Sequence, residues 1–454
     1  MHPLLVKRVF FPLHERLLGK RTLAWFSELQ QTQWMDRSRL EEYRFRRLRR
    51  LLDHAYAHVP YYRRIFDEHD VPPHRIQSFD DLRRVPYLTR DDFRTHFTEL
   101  MPTPQVPRSR AWSTGGSTGR PVTLMIDMDR MAFSDAARLR AHGWFGLDLS
   151  AREIALWGSV RDLSGRGVLR AVRDRILNHR VLSAFDMSKR NLASYARLLD
   201  RFRPEKMYGY ATAITLLSQY LMREARSRPP ASLRAVFTTA EPLFDYQRAL
   251  IREGLGCSVA QEYGSRDAGM IASECPSGGL HVNAEGVHVE LLGPRGSSGE
   301  LVITNFDTPA MPVIRYRTQD MATASDSACA CGRALPLLGH VEGRQTDFVV
   351  TPDGRVLHAL AVIYILRDVP GIHEFRVTQE DIKRLVVEIV ASDGFGSEQE
   401  RAVIRGLSGL MGPGVDIDVV KTERIVRPES GKYRYVVSKI AEQHLCEILA
   451  GAAQ

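Results

Sequence analysis

A run of small polar residues stands at positions 113–120, where the sequence is STGGSTGR. Glycines let backbone N–H groups approach a ligand closely and hydroxyls add donors, so such a loop suits a phosphate or another oxyanion. It does not match the G-x-x-x-x-G-K-[ST] pattern of the Walker loop, and a Gly/Ser-rich stretch is also typical of a plain turn. The candidate phosphate-binding residues are Ser113, Thr114, Gly115, Gly116, Ser117, Thr118, Gly119 and Arg120.

Three cysteines and one histidine form a second group with recognisable chemistry. Cys275 and His281 lie in ECPSGGLH, and Cys329 and Cys331 lie in ACACGR. Two thiolates one residue apart, after a Cys/His pair, supply four ligands that suit tetrahedral Zn²⁺. In a reducing compartment this pattern predicts a metal site rather than a disulfide. Since all four ligands come from the protein, we expect the site to be structural.

The composition is that of an ordinary globular protein with room for a large core. The chain has 454 residues, of which 44% are hydrophobic and 26% charged, which argues against disorder. The formal charge of +9 favours anionic partners such as nucleotides, phosphorylated cofactors or a membrane surface. We expect no nucleic acid partner, because the basic residues are scattered and no aromatic–basic module is recognisable.

The N-terminal stretch MHPLLVKRVFFPLHERLLGKR is apolar and basic. Lys7 and Arg8 interrupt its apolar run, so it predicts neither a membrane span nor a clean signal peptide. A helix packed at the edge of the large domain is the simpler interpretation, and an amphipathic helix on a membrane surface is the alternative. Without an export signal we expect a reducing cytoplasm, in which Cys257 and Cys446 are packing residues.

Helices and strands alternate over much of the chain. Residues 36–59 predict a helix with leucines on its buried face and the arginines from Arg37 to Arg50 on a solvated face. Further on, predicted strands and helices follow one another, which is typical of parallel sheets covered by helices. The strands are predicted at 153–160, 233–243 and 257–264, and the helices at 191–202, 212–225 and 245–256.

The pattern changes after about residue 285, where polar and apolar residues alternate with period two and predict antiparallel strands. We therefore predict an α/β fold with a large domain at 1–346, which includes a strand-rich part at about 270–340. The last hundred residues predict strand, helix, two strands, helix and strand. They form a small, mobile α+β domain at 347–454.

Six stretches resemble, in order, the motifs of the adenylate-forming (acyl/aryl-CoA synthetase-like) superfamily, and within it the phenylacetate–CoA ligase-like branch. They are the phosphate loop STGGSTGRP, the adenine turn TTAEP, EYGSRD, the ribose-binding strand MPVIRYRTQD, the hinge EGRQTD and the lysine loop RPESGKYR. The helical stretches LLDHAYAHVPYYRRIF and VPYLTRDDF are also similar to this branch. The GSRD variant and the N-terminal helices look closest to its capsule- and polysaccharide-biosynthesis relatives.

The resemblance implies a role for each matching residue. Lys432 would bridge the acid's carboxylate and the α-phosphate, Asp267 would act with Mg²⁺, and the small domain would turn at Asp347. Tyr208 and Tyr210 resemble the branch's acyl-pocket wall. Beyond the phosphate loop, the residues expected to contact ATP are Ala240, Glu241, Pro242, Tyr263, Gly264, Ser265, Asp320 and Arg344.

Four positions depart from the common pattern of the superfamily. Arg120 stands where many relatives carry lysine, and a guanidinium still binds phosphate. Arg266 and Asp267 replace a Thr-Glu pair, and the shorter carboxylate changes the geometry available to Mg²⁺. Gln319 stands where glycine is common. None of these departures removes a group that the chemistry requires.

The implied reaction is ATP-dependent activation of a carboxylic acid as its adenylate, followed by transfer to the thiol of coenzyme A. Transfer to an amine or a carrier protein is an alternative, and a nucleotide-binding scaffold without activity is another. Members of the branch carry a Cys/His cluster, which supports zinc at the four ligands. A homodimer is expected only at the level of the family.

Overall fold

A computed structural model describes most of the chain. The described residues are 1–113, 122–158, 167–184, 187–224, 230–293, 298–325, 327–341, 348–392, 394–425 and 435–440. The α-helices are α1 Pro3–Leu5, α2 Phe11–Leu18, α3 Thr22–Thr32, α4 Arg37–His58, α5 Pro60–Glu68, α6 Phe79–Leu82, α7 Arg90–Thr95, α8 Met128–Gly143, α9 Gly167–Ile176, α10 Lys189–Phe202, α11 Ala211–Arg223, α12 Asp245–Leu255, α13 Ala359–Arg367 and α14 Ser397–Met411. A π-helical turn spans Val6–Phe10 and a 3₁₀ turn spans Pro73–Arg75.

The strands form four sheets. They are β1 Arg110–Ser113, β2 Thr123–Ile126, β3 Glu153–Leu156, β4 His179–Leu182, β5 Lys206–Gly209, β6 Ala235–Thr238, β7 Ser258–Ser265, β8 Gly269–Glu274, β9 Leu280–Val282, β10 Val287–Leu292, β11 Gly299–Asn305, β12 Val313–Ser325, β13 Leu337–Val341, β14 Phe348–Val350, β15 Val356–His358, β16 Ile372–Asp381, β17 Arg384–Ala391, β18 Asp416–Lys421 and β19 Val436–Ser438. The largest sheet has eleven strands in the order β10-β11-β12-β13-β9-β8-β7-β6-β5-β3-β4.

The predicted α/β architecture is confirmed, and its two parts share one sheet. Strands β4, β3, β5, β6 and β7 pair in parallel. From β7 onwards the pairing is antiparallel through β8, β9, β13, β12, β11 and β10. Helices α10, α11 and α12 contribute apolar side chains to a core that also includes Ile154, Met207 and Val236 of the parallel strands. The strand-rich part therefore continues the parallel sheet instead of forming a separate layer.

Helix α4 has the predicted apolar face, because Leu48, Leu52 and Ala55 are fully buried. The prediction that its arginines form only a solvated face is wrong for two of them. Arg44 donates to the backbone oxygen of Ala284 at 3.1 Å, and Arg47 forms an ion pair with Asp307. These side chains lie between the helix and the strand-rich part, where a long stem buries its methylenes while its head finds a partner.

The C-terminal residues follow the predicted order, with two additional strands, β15 and β19. The hairpin β14–β15 precedes α13, and the four-stranded sheet has the order β18-β17-β16-β19. β19 pairs in parallel with β16 and was not expected from its three residues. The C-terminal elements share a separate hydrophobic core. Ala361 and Tyr364 of α13 also pack against the core of the parallel sheet. Asp347 lies outside the described residues, so the domain boundary stays a prediction.

Across the described residues, every helix is too short or too polar to cross a lipid bilayer.

Candidate active site and metal site

Tyr263 at the end of β7 contacts Asp320 on β12. Its hydroxyl donates to Oδ2 of Asp320 at 2.9 Å, although three strands separate β7 from β12 in the sheet. The antiparallel part must therefore curl back towards the parallel part. Burial, reinforced by the Asp320 carboxylate, holds the pKa of Tyr263 well above its ordinary value. The hydroxyl keeps its proton and remains a donor that orients Asp320.

Asp267 lies beside two partners in the same region. The Tyr316 hydroxyl donates to Oδ2 of Asp267 at 2.6 Å, and a guanidinium nitrogen of Arg90 lies 3.6 Å from the same oxygen. Arg90 also donates to the Tyr316 hydroxyl at 3.1 Å. Asp267 is 5% exposed, so its charge is balanced by a cation close at hand.

These two pairs form one cluster. The charge of Asp267 raises the pKa of Tyr263, and the charge of Asp320 raises the pKa of Arg90. Arg90 begins α7 and was not predicted as a site residue. The only signal in the sequence was the stretch VPYLTRDDF, which contains Arg90. Its similarity to the branch assigned no role to any of its residues.

The phosphate loop is flanked by the hairpin β1–β2. Ser113 pairs with Thr123, and their hydroxyl oxygens are 3.1 Å apart. Arg266 donates to the backbone oxygen of Ser113 at 3.2 Å and so connects the start of the loop to the residue before Asp267. The other predicted loop residues lie outside the described residues, namely Thr114, Gly115, Gly116, Ser117, Thr118, Gly119 and Arg120.

The carboxylate of Glu241, which belongs to the predicted adenine turn, holds that turn in place. Oε2 of Glu241 accepts from the backbone N–H of Thr212 at 2.9 Å, in the first turn of α11, where a negative charge is favourable. Ala240 is exposed and has a positive φ of 65°, which costs a non-glycine residue about 1 kcal/mol. The carboxylate of Glu241 therefore shapes the turn and leaves the exposed backbone for a ligand.

Tyr208 and Tyr210 belong to an aromatic group with Trp157. The Trp157 ring stacks on both, with centroid distances of 5.8 Å to Tyr208 and 4.8 Å to Tyr210. The Arg138 guanidinium lies 4.0 Å from the centroid of the Tyr208 ring. Trp157 was not predicted, because it follows a short strand and carries no recognisable motif.

A buried chain of ionisable groups lies behind these rings. Lys206 forms an ion pair of 3.0 Å with Glu153 and lies 3.1 Å from Nδ1 of His142, whose Nε2 is 3.1 Å from Glu262. Burial holds the pKa of His142 well below its ordinary value and raises the pKa of Glu262 to about 7. A neutral His142 can accept from Lys206 and donate to Glu262, next to Tyr263 in the chain. The sequence did not predict this chain.

The four predicted metal ligands come together. Their ligand atoms all lie within 4.8 Å of one another, with 3.5 Å between the sulfurs of Cys275 and Cys329 and 3.1 Å from Sγ of Cys331 to Nε2 of His281. Bond lengths of about 2.0–2.3 Å around a tetrahedral Zn²⁺ give similar ligand separations. The donor set and its size therefore fit zinc.

Surrounding groups hold these ligands in place. Nδ1 of His281 lies 3.2 Å from the backbone oxygen of Leu335, which directs Nε2 towards the thiols. A Cβ at Gly279 would lie 2.7 Å from the sulfur of Cys329, so only glycine leaves this space free. Cys257 lies outside the cluster and packs against the core of the parallel sheet, as predicted.

In addition to the loop residues, four predicted residues lie outside the described residues, namely Arg344, Asp347, Lys432 and Cys446. The described site thus unites Tyr263, Asp320, Asp267 and the start of the phosphate loop, while the roles of the other residues stay predictions.

Comparisons with known proteins identify one matching domain family and several similar proteins. The CapK C-terminal domain family matches residues 349–439. Phenylacetate-coenzyme A ligase of Thermus thermophilus is 26% identical over 340 residues, which cover 70% of this chain and 73% of the relative. Protein CapK of Staphylococcus aureus is 24% identical over 371 residues, which cover 79% and 81%.

The fold is shared with solved structures of adenylate-forming ligases. A structure of 2-hydroxyisobutyryl-CoA ligase with 2-HIB-AMP and CoA, in the thioesterification state, has a TM-score of 0.63 at 18% identity and covers 93% of this chain and 94% of its own. The same ligase in the postadenylation state has a TM-score of 0.59. This chain is therefore similar in sequence to phenylacetate-coenzyme A ligases and to protein CapK, and it shares its fold with 2-hydroxyisobutyryl-CoA ligase.

Proposed function

We propose that the protein is an AMP-forming acid–CoA ligase. The observation that carries the proposal is the cluster of Tyr263, Asp320, Asp267 and Arg90, which lies beside the start of a phosphate-type loop. The names of the relatives, phenylacetate-coenzyme A ligase above all, support acid activation and CoA as the acceptor. A carboxylate that accepts from a fixed phenol can receive ribose hydroxyls, and an adjacent aromatic ring can stack on a base.

In the first step, an oxygen of the acid's carboxylate bonds to the α-phosphorus of ATP, and the bond to the β-phosphate oxygen breaks to release pyrophosphate. Both reactants are anionic, so catalysis consists mainly of positioning and charge neutralisation. Lys432 would lie between the carboxylate and the α-phosphate, and the loop from Ser113 to Arg120 would hold the departing phosphates. Asp267 would hold Mg²⁺, which offsets phosphate charge when bound.

In the second step, the thiol sulfur of CoA bonds to the acyl carbon, the acyl–phosphate bond breaks to release AMP, and the thiol loses its proton. The small domain would turn about Asp347 between the two steps, so that one site serves two reactions. The zinc would have no part in either step, because four protein ligands fill its coordination.

The stack of Trp157 with Tyr208 and Tyr210 supports an acid with a flat or apolar body. In a second candidate, the adenylate is transferred to an amine or a carrier protein. The two candidates share the first step and differ only in the acceptor.

Pyrophosphate exchange into ATP tests the first step. We expect exchange that depends on one class within a panel of aryl, fatty, hydroxy and amino acids. AMP release that requires CoA with that acid would support the ligase, while exchange without CoA-dependent release would favour another acceptor. Absence of exchange with every acid, from protein that still binds ATP, would contradict the proposal and favour a nucleotide-binding scaffold.

Replacement of Arg90 by glutamine should lower kcat/KM for ATP in the exchange assay by about tenfold to a hundredfold, because it removes the guanidinium that lies 3.6 Å from the buried Asp267 carboxylate. Arg94→Gln is the matched control, since Arg94 lies one turn further along α7 and pairs with Asp91 at 2.6 Å, whose side chain is 86% exposed. Equal activity of Arg90→Gln and the control, with both folded, would exclude a role for Arg90 in the site.

A further inference from the structure

The first eighteen residues carry an unusual share of exposed apolar surface. Of the fifteen exposed large hydrophobic side chains among the described residues, seven lie in this segment. Isolated exposed hydrophobic residues are common on proteins, but a contiguous patch marks an interaction surface. The seven are Met1, Leu4, Leu5, Val9, Leu13, Leu17 and Leu18.

The exposure is not the result of a frayed terminus. The amino group of Met1 donates to Oδ1 of Asn178 at 2.9 Å, and Val6 is fully buried. At the other end, the buried carboxylate of Glu15 accepts from the backbone N–H groups of Thr22 and Leu23. The segment is thus fixed to the protein by one face, and its other face is held outward.

The outward face is a single apolar row. Residues 1, 5, 9, 13 and 17 are Met, Leu, Val, Leu and Leu, and all five are exposed. A spacing of four residues drifts around an α-helix, whose turn holds about 3.6 residues. The π-helical turn Val6–Phe10 is wider and offsets part of this drift. We name residues 1, 5, 9, 13 and 17 the outer row.

Positive charge lies beside the outer row. Arg8 and Arg16 are exposed on the neighbouring row of the same helical segment. This row consists of residues 4, 8, 12 and 16. On α9, Arg173 is close enough for its charge to act on His14, and its neighbour Val172 is exposed. The acidic groups close to this segment have partners. Asp148 pairs with Lys7, Asp174 with Arg173 and Asp135 with Lys20, and Glu15 accepts the two backbone N–H groups named above.

We propose that the outer row lies in the headgroup region of an anionic membrane, with Arg8 and Arg16 in contact with lipid phosphates. An apolar row beside arginines is the arrangement of helices that lie in a membrane interface. A second copy of the chain is less suited as the occupant, because a two-fold contact would bring two positive rims together. The helical segment would pack on the protein with one face and bind lipid with the other. The packing helix and the membrane-surface helix considered from the sequence are then the same element.

Co-sedimentation of the full-length protein with vesicles tests this proposal. We expect binding to vesicles of equal parts phosphatidylglycerol and phosphatidylcholine, and little binding to phosphatidylcholine alone. The double variant Leu13→Gln/Leu17→Gln should weaken binding at least about tenfold. The double variant Arg8→Gln/Arg16→Gln should also weaken it about tenfold and reduce its dependence on salt.

Met222→Gln is the matched control, because Met222 is an apolar side chain that is 39% exposed on α11 and is not part of the N-terminal segment. All variants should keep the melting temperature and exchange activity of the wild type. The proposal fails if the wild type does not sediment with anionic vesicles, or if the double leucine variant binds them as well as the control. A dimer in solution that this variant abolishes would instead identify a second copy as the occupant.

Discussion

Replacement of Lys432 by alanine is expected to lower pyrophosphate exchange by about a thousandfold while ATP still binds. The first step brings a carboxylate against a phosphate, and a single ammonium between them acts where charge builds up in the transition state. Lys432 lies outside the described residues, but the chain on either side is held. Ile425 and Tyr435 are buried, and the Tyr435 ring packs edge-on against Phe375 at 5.6 Å.

Lys439→Ala is the control for this experiment. Lys439 follows β19 in the same part of the chain, its side chain is 58% exposed, and it pairs with Glu380. We expect its loss to leave exchange unchanged, since surface ion pairs contribute little. Exchange at the wild-type rate in Lys432→Ala would refute the proposed first step, whereas loss of activity in both variants would point to a damaged small domain.

Removal of the metal from the Cys/His cluster is expected to lower the free energy of unfolding by at least about 3 kcal/mol. The four ligands come from the residue that follows β8, from β9 and from the segment between β12 and β13, so one ion connects neighbouring strands of the large sheet. The purified protein should contain about one equivalent of zinc. Its melting temperature should fall on treatment with a strong chelator and recover when zinc is restored.

Two variants and one control sharpen this test. Cys275→Ser removes a ligand, and Gly279→Ala places a methyl group 2.7 Å from the Cys329 sulfur, so both should lose the metal and the stability it gives. Cys257→Ala should keep the metal, because Cys257 is not one of the four clustered ligands and burial raises the pKa of its thiol to about 12. The site would be ruled out if the purified wild type contained no metal and its melting temperature did not change on treatment with the chelator.

The elements of the fold were predictable because their patterns are local. The buried face of α4 and the strand at 258–265 follow from the spacing of apolar residues in short windows. The inward turn of Arg44 and Arg47 was not predictable, because an arginine run looks solvated until its distant partners, Ala284 and Asp307, are known.

The site was predictable as a set of residues but not as a set of contacts. Resemblance identified Tyr263 and Asp320 separately, but their hydrogen bond depends on the curl of a sheet across three intervening strands. Arg90 and Trp157 escaped prediction because neither lies in a motif with a known role. The metal ligands were the easiest to predict, since cysteine and histidine at close spacing have few other uses.

The contact between α13 and the large domain has a consequence for the proposed turn at Asp347. Ala361 and Tyr364 cover part of the core of the parallel sheet. A rotation of the small domain would bring this apolar patch into water, so the position seen here is one that hydrophobic contact favours and that substrate binding would have to outweigh. The ring of Tyr364 would pass between an apolar and an aqueous environment once in every turnover. With such a turn, the absorbance and emission of Tyr364 would report the position of the small domain.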